Sequence, residues 1–287
     1  MATRRARGKG LATAGRVLLL LAVAVLAGVW GAALLAQQQE FTFAVFGDCQ
    51  PAGQEPYSPA LERLATDIGE MAPAFVLGTG DYIDGSTNPS RVRWQYNQFF
   101  AAIAPMQSRQ AVPVALAPGN HNIMGLRANQ DIFKEYFRHL HFSFNYGGCH
   151  FIILDSEEPG REGRIAGQQL EWLKQDLEAH KNARLSFVAL HRPLFPVDGH
   201  VGSSLDVHLR ERDALHGLFV QQGVDCVFMG HEHLYNHREK DGVHYFITGG
   251  GGGPLYATPE RGGFYHYLLI EVTQTSYRVT VRRIAGP

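Results

Sequence analysis

Five apolar runs in this 287-residue sequence end on side chains able to ligate a metal. Asp48 follows "FAVFG", Asp81 follows "FVLGTG", Asn120 and His121 follow "VALAPG", His191 follows "LSFVAL", and His231 and His233 follow "CVFMG"; Gln50 lies two residues beyond Asp48. Taken singly, each has a plain explanation as a turn former, a helix cap, or a surface or core histidine. Together they share one pattern. A preceding glycine lets backbone pass close to a site, and two buried carboxylates among several imidazoles are hard to sustain without a cation. The donors are carboxylate, carboxamide and imidazole without thiolate, which suits Mn, Fe, Zn or Mg at roughly octahedral sites rather than a structural tetrahedral zinc. A pair of divalent ions is expected: one carboxylate and a hydroxide bridging them would offset the repulsion between dications about 3.5 to 4 Å apart. Against Asp48, Asp81 and one hydroxide, two dications leave a small positive excess, suited to an anionic phosphoryl group.

The elements that must position these residues are legible as alternating runs. Strands are expected at "FTFAVF", "AFVLGT", "VPVALA", "FIILD", "LSFVAL", "VDCVFMG" and "HYFIT", with "YHYLLIEVT" and "SYRVTVRRI" as a closing hairpin. Between them, "SPALERLATDIGEM" has Ser58 as cap and Pro59 at the first helical position, and "GQQLEWLKQDLEAH" and "HLRERDALHGLFVQQG" are amphipathic helices. Strands alternating with helices predict an α/β domain over residues 40–285. In open α/β sheets the crevice beyond the carboxyl ends of the strands binds ligands, so side chains from distant parts of the chain can converge there.

The formal net charge of −1 gives no composition-level reason to expect a nucleic acid partner. Residues 1–16 are basic and 17–36 carry no charge, a run long enough to cross a bilayer, which takes roughly 20 apolar residues. The expectation is a signal anchor that leaves residues 40–285 outside the cytoplasm at the cell membrane, the alternative being a cleaved signal peptide and a secreted or periplasmic domain. Cys49, Cys149 and Cys226 lie in or beside apolar runs without metal spacing, and a disulfide is not expected.

The blocks "GDCQ", "GDYID", "GNHN", the His of "LHRPLF", and "GHEH" resemble, in order, the five motifs of calcineurin-like metallophosphoesterases, the superfamily that includes purple acid phosphatases. The resemblance runs over most of residues 41–255. It implies a four-layer α/β/β/α sandwich with two mixed β-sheets and hydrolysis of a mono- or diester, small-molecule or lipid-linked, by a metal-bound hydroxide. Carried over residue by residue, it implies that Asp81 bridges two ions. Asp48 and His233, with Gln50 beside them, would hold the first, and Asn120, His191 and His231 the second. His121 would stand near the leaving-group oxygen.

Three departures qualify that likeness. Gln50 replaces the His of a frequent Asp-x-His pattern, so the first ion is expected to bind more weakly or to complete its shell with water. Asp84 occupies the place of the tyrosine ligand of purple acid phosphatases, so a purple iron(III) centre is not expected. Asn122 stands where an acid often follows the His, and is expected to orient His121 as a neutral partner. His200 and Tyr146 are candidate pocket-lining residues, Cys49 is expected to fill space, and "GGGGGPLY" is either a substrate cradle or an ordinary flexible connection. The competing functional classes are a metal-binding but catalytically impaired module and a membrane-tethered interaction domain of the same fold.

Overall fold

The strand at Phe41–Phe46 is apolar at successive positions because both of its faces are covered. Phe43 and Val45 lie in an apolar cluster between two sheets, and Ala44 and Phe46 in a second cluster beneath helices. The computed structural model describes residues 39–53 and 56–286. The expected anchor at 17–36 lies outside the described residues; among these, no helix is long and apolar enough to cross a membrane.

The first sheet contains β1 (Phe41–Phe46), β2 (Val76–Gly78), β3 (Val114–Leu116), β10 (His266–Val272) and β11 (Tyr277–Arg283), in the order β11-β10-β1-β2-β3. The second contains β4 (Phe142–Tyr146), β5 (Cys149–Ile153), β6 (Ser186–Ala189), β7 (Cys226–Met229), β8 (Tyr235–Lys240) and β9 (Val243–Thr248), in the order β4-β5-β6-β7-β9-β8. Both are mixed. β1 runs parallel to β2 and antiparallel to β10, while β5, β6, β7 and β9 are mutually parallel with antiparallel β4 and β8 at the edges. The inner faces meet through phenylalanines: Phe43 stacks on Phe75 at 5.3 Å and meets Phe151 and Phe187 edge-on at 5.3 and 5.2 Å.

Helices α1 (Pro59–Met71), α2 (Pro89–Ile103) and α4 (Arg127–Phe137) cover the outer face of the first sheet, and α5 (Gly167–Ala179) and α6 (Leu209–Gln221) that of the second. A single turn, α3 (Asn120–Ile123), separates β3 from α4. The cap expected at α1 is present, Ser58 Oγ accepting from Ala60 N–H at 3.2 Å. Helices α2 and α4 and strands β4 and β8 go beyond the elements read from sequence. β8, "YNHREK", is charged because it is an edge strand, which masks its period.

One polar cluster faces the helix side of the second sheet. Between His150 Nε2 and Asp176 Oδ2 the separation is 2.7 Å, Ser143 Oγ donates to Asp176 Oδ1 at 2.8 Å, and His180 stacks on His150 at 3.9 Å. The second nitrogen of His150 faces Asn145 Oδ1 at 2.7 Å, so the group pins α5 to β4 and β5 with its polar atoms already partnered. Burial alone would raise Asp176, but hydrogen bonds from His150 and Ser143 outweigh it and hold the carboxyl below the usual range. A depressed folded-state value stabilises the fold above the unfolded value and loses that contribution as pH falls through the folded one. Asp176→Asn is therefore expected to cost about 1 to 3 kcal/mol at neutral pH, with the gap to wild type closing below about pH 4. Urea midpoints at pH 7 and pH 3 check this.

Candidate metal centre

The sequence-predicted residues converge beyond the carboxyl ends of β1, β2, β3, β6 and β7. Asp48, Asp81 and His231 each adopt positive φ, +57°, +56° and +71°, a left-handed backbone that non-glycine residues rarely occupy. These turns aim each side chain back across the strand ends. Glycines make the close approach possible: a Cβ on Gly230 would lie 2.3 Å from Asp48 Oδ2, and one on Gly119 2.2 Å from Asp81 Oδ1.

His191 organises one half. Its Nδ1–H donates to the Thr79 carbonyl at 2.8 Å, which leaves Nε2 facing the site, the atom that would ligate a metal in exchange for its proton. That nitrogen lies 2.8 Å from Asn120 Oδ1, 3.1 Å from His231 Nδ1 and 3.3 Å from Asp81 Oδ2. The separations match the donor–donor edge of a six-coordinate ion, about 3.0 Å when its bonds are about 2.1 Å. Asp81, His191 and His231 are also close enough together to share one ion.

The other half joins Asp48, Gln50 and His233. His233 donates from Nδ1 to the Pro254 carbonyl, which leaves Nε2 3.3 Å from Gln50 Nε2 and 3.6 Å from Asp48 Oδ1. Asp48 Oδ1 accepts from the His231 N–H at 2.8 Å. Its Oδ2 is buried without a hydrogen-bond partner among the described residues, and so is Gln50 Oε1. Two such acceptors in one pocket fit cation ligands, since a buried lone pair otherwise costs the full desolvation of its group. The halves are stitched together by backbone, with Cys49 N–H and Gln50 N–H both donating to the Asp81 carbonyl at 3.0 and 3.1 Å.

The electrostatics also ask for positive charge. Burial would lower the His191 imidazole, yet Asp81 and Asp48 outweigh it and bring it up to about 9. Burial pushes Asp48 well above the usual carboxylate range; it pushes Asp81 the same way, but His191 outweighs it and leaves Asp81 low. Burial lowers His231, and lowers His233 to about 4, so both keep lone pairs available for a metal.

His121 sits at the mouth. Its backbone N–H donates to Asp81 Oδ1 at 2.9 Å, and its Nδ1 donates to the Asp84 carbonyl at 2.9 Å, with the Asp84 carboxylate at 4.0 Å. The orienting role expected of Asn122 therefore falls to Asp84. Asn122 Oδ1 instead accepts from the Asp81 and Gly119 N–H groups, both at 2.9 Å, tying two ligand loops together. His200 does line the pocket, its ring centroid 3.9 Å from that of His231 and its plane tilted by 33°. Tyr146 does not: β4 runs antiparallel to β5, so its last residue lies at the opposite end of the sandwich, 4.8 Å from the ring of Phe41.

Cys49 is buried and fills space beneath the site; it and the other two cysteines are free thiols. The glycine-rich segment is neither loose nor a helix start, because Gly251 and Gly253 N–H donate to the Gly47 and Asp48 carbonyls at 2.9 and 2.8 Å. Two contributors went unread in the sequence. Glu232, between the two His ligand candidates, accepts from Val197 and Asp198 N–H at 2.8 and 2.6 Å and so fixes the segment that carries His200. Tyr256 stacks on His233 at 4.4 Å; an aromatic residue soon after a glycine run tethered to the first motif was its one signal.

A family model described as calcineurin-like phosphoesterase matches residues 41–235. The chain belongs to the calcineurin-like phosphoesterase family. Among its relatives in this family, acid phosphatase type 7 of Mus musculus is 30% identical over 215 residues, covering 67% of this chain and 46% of that protein. Purple acid phosphatase PPD1 from yellow lupin (Lupinus luteus) superposes with a TM-score of 0.70 at 18% identity, covering 88% of this chain and 53% of that one. A dimetal phosphatase from Danio rerio gives a TM-score of 0.61 at 16% identity, covering 85% and 96%. The two superpositions show a shared phosphoesterase fold. The chain spans less than half the length of several curated relatives that it matches.

Proposed function

We propose that this calcineurin-like phosphoesterase domain hydrolyses phosphomonoesters or phosphodiesters with two divalent ions. The observation that carries the reading is the cluster of lone-pair donors set at octahedral-edge spacing around His191 Nε2. Asp48, Gln50 and His233 would hold one ion, Asn120, His191 and His231 the other, and Asp81 both. Bound there, Mn, Fe, Zn or Mg would neutralise phosphoryl oxygens and lower the pKa of water toward about 7, supplying hydroxide without a protein base.

The protein's own residues do the rest. Buried Asp48 and Asp81 confine positive charge to one pocket, so that an anionic phosphoester is drawn to it and a neutral ester is not. His121, with its Nδ1–H donated to the Asp84 carbonyl, has Nε2 left for the departing oxygen, and as the imidazolium it would give that oxygen the Nε2 proton and return to the neutral ring. The positive-φ turns at Asp48, Asp81 and His231 keep the donors in place before substrate arrives. The basic flank 1–16 and apolar run 17–36 support a membrane anchor, with catalysis on the extracytoplasmic side.

The test is metal content together with turnover of nitrophenyl phosphate and its bis ester by the full chain in manganese. A fully metallated protein inert toward both esters and toward a broader phosphoester panel would sink the reading. His121→Asn is expected to lower kcat by about 10² to 10⁴. Its metal content should match wild type, which separates His121 from the ligands.

A further inference from the structure

Tyr256 has no role in the mechanism above, although its position is closely fixed. Gly251 and Gly253 bond to the end of β1, Pro254 accepts from His233, and two residues later the Tyr256 ring lies on the His233 imidazole at 4.4 Å and 20°. Its hydroxyl is 3.4 Å from His233 Nε2, the nitrogen that Gln50 also approaches. That separation is long for an O–H···N bond, so the phenol proton is held weakly. A phosphoryl oxygen, carrying charge, is a stronger acceptor. The residue is 61% exposed, and its ring centroid lies 6.2 Å from that of His200, whose tilted ring lies 3.9 Å from that of His231. Two aromatic walls thus stand side by side over two ligand candidates.

We propose that Tyr256 contacts the substrate, its hydroxyl donating to a non-bridging phosphoryl oxygen and its ring flanking a planar leaving group. The inference rests on the phosphoesterase reading and narrows it toward aryl esters. The tyrosine adds a donor beside Gln50, where the replacement of imidazole by carboxamide weakens the first ligand set.

The test uses the full chain loaded with manganese, with Tyr256→Phe and Tyr256→Ala. Three quantities are measured: metal content, binding of inorganic phosphate by calorimetry, and KM for phenyl phosphate against methyl phosphate. Tyr256→Phe is expected to bind phosphate about 3- to 10-fold more weakly with unchanged metal content. Tyr256→Ala is expected to raise KM for phenyl phosphate a further 2- to 10-fold, roughly the worth of an aromatic contact, with no further change for methyl phosphate. Wild-type phosphate affinity in Tyr256→Phe, loss of metal from it, or an equal rise for both esters in Tyr256→Ala would overturn the proposal. If wild type turns over neither ester nor any member of the broader phosphoester panel, the phosphoesterase reading fails, while the phosphate titration still decides whether the hydroxyl makes its contact.

Discussion

Asp81→Asn is expected to lower kcat/KM by about 10³ or more, the order of the several kcal/mol that two-ion charge stabilisation contributes. The substitution keeps shape and removes charge. Asp81 Oδ1 would still accept from the His121 N–H, now at 2.9 Å, so the loops should stay in register while the carboxylate proposed to serve both ion sites is lost. Metal analysis should show less than two equivalents retained after dialysis, and kinetics in excess manganese should not restore activity.

Stability gives that experiment a second readout with an informative sign. Without metal, Asp81 is paired with His191 at 3.3 Å, whereas Asp48 Oδ2 is buried without a partner among the described residues. Removing one member of a buried pair leaves the other uncompensated, so metal-free Asp81→Asn should melt below metal-free wild type. Metal-free Asp48→Asn should melt at or above it, because a buried carboxyl whose ionisation the fold opposes has been replaced by a neutral amide. With manganese the order changes: wild type gains RT ln(1 + [L]/Kd), about 2.7 kcal/mol at 100 times Kd, and both variants gain less. Thermal melts with chelator and with manganese check both signs.

The contrast between Asp48 and Tyr146 shows what the sequence can carry. Asp48 was legible because an apolar run covered on both faces ends abruptly at a glycine and a carboxylate, and the carboxyl ends of parallel strands share one edge of an α/β domain. Strand direction is not written in a strand's own composition. "FSFNY" has the aromatic content of a buried strand, but only its antiparallel pairing with β5 decides that Tyr146 ends far from the metal centre. Asn122 shows a second limit. Its neighbour His121 suggested a local partnership, yet its carboxamide turns inward to the Asp81 and Gly119 N–H groups, while His121 is held from 37 residues away by Asp84. Ligands announce themselves by chemical type, but the residues that hold ligands use ordinary carbonyls and amides that any loop can offer. The Thr79 carbonyl that fixes the His191 tautomer belongs to that silent class.

Glycine is where sequence and geometry meet most sharply, and Gly119→Ala is expected to cost activity by about 10² or more while leaving most of the fold intact. A Cβ at Gly119 would sit 2.2 Å from Asp81 Oδ1 and 2.3 Å from Asp81 N. Neither atom can yield freely, because the first accepts from His121 N–H and the second donates to Asn122 Oδ1, each at 2.9 Å. The strain must therefore move the carboxylate proposed to hold both ions, and a displacement of about 1 Å in a reacting constellation costs on the order of 10² in rate. Overpacking of this kind should also lower stability by about 1 to 3 kcal/mol. Gly217, within α6, provides the opposite case. Beyond its chain neighbours and its own helix backbone, no atom of the described residues lies within 4 Å of a Cβ placed there, so Gly217→Ala should stabilise the protein by about 0.5 to 1 kcal/mol through helix propensity, with kcat/KM unchanged. Thermal melts and kcat/KM for the two alanine variants, measured side by side, check both effects. Equal activity in the two would mean that the space above Asp81 is not what holds the ions in place.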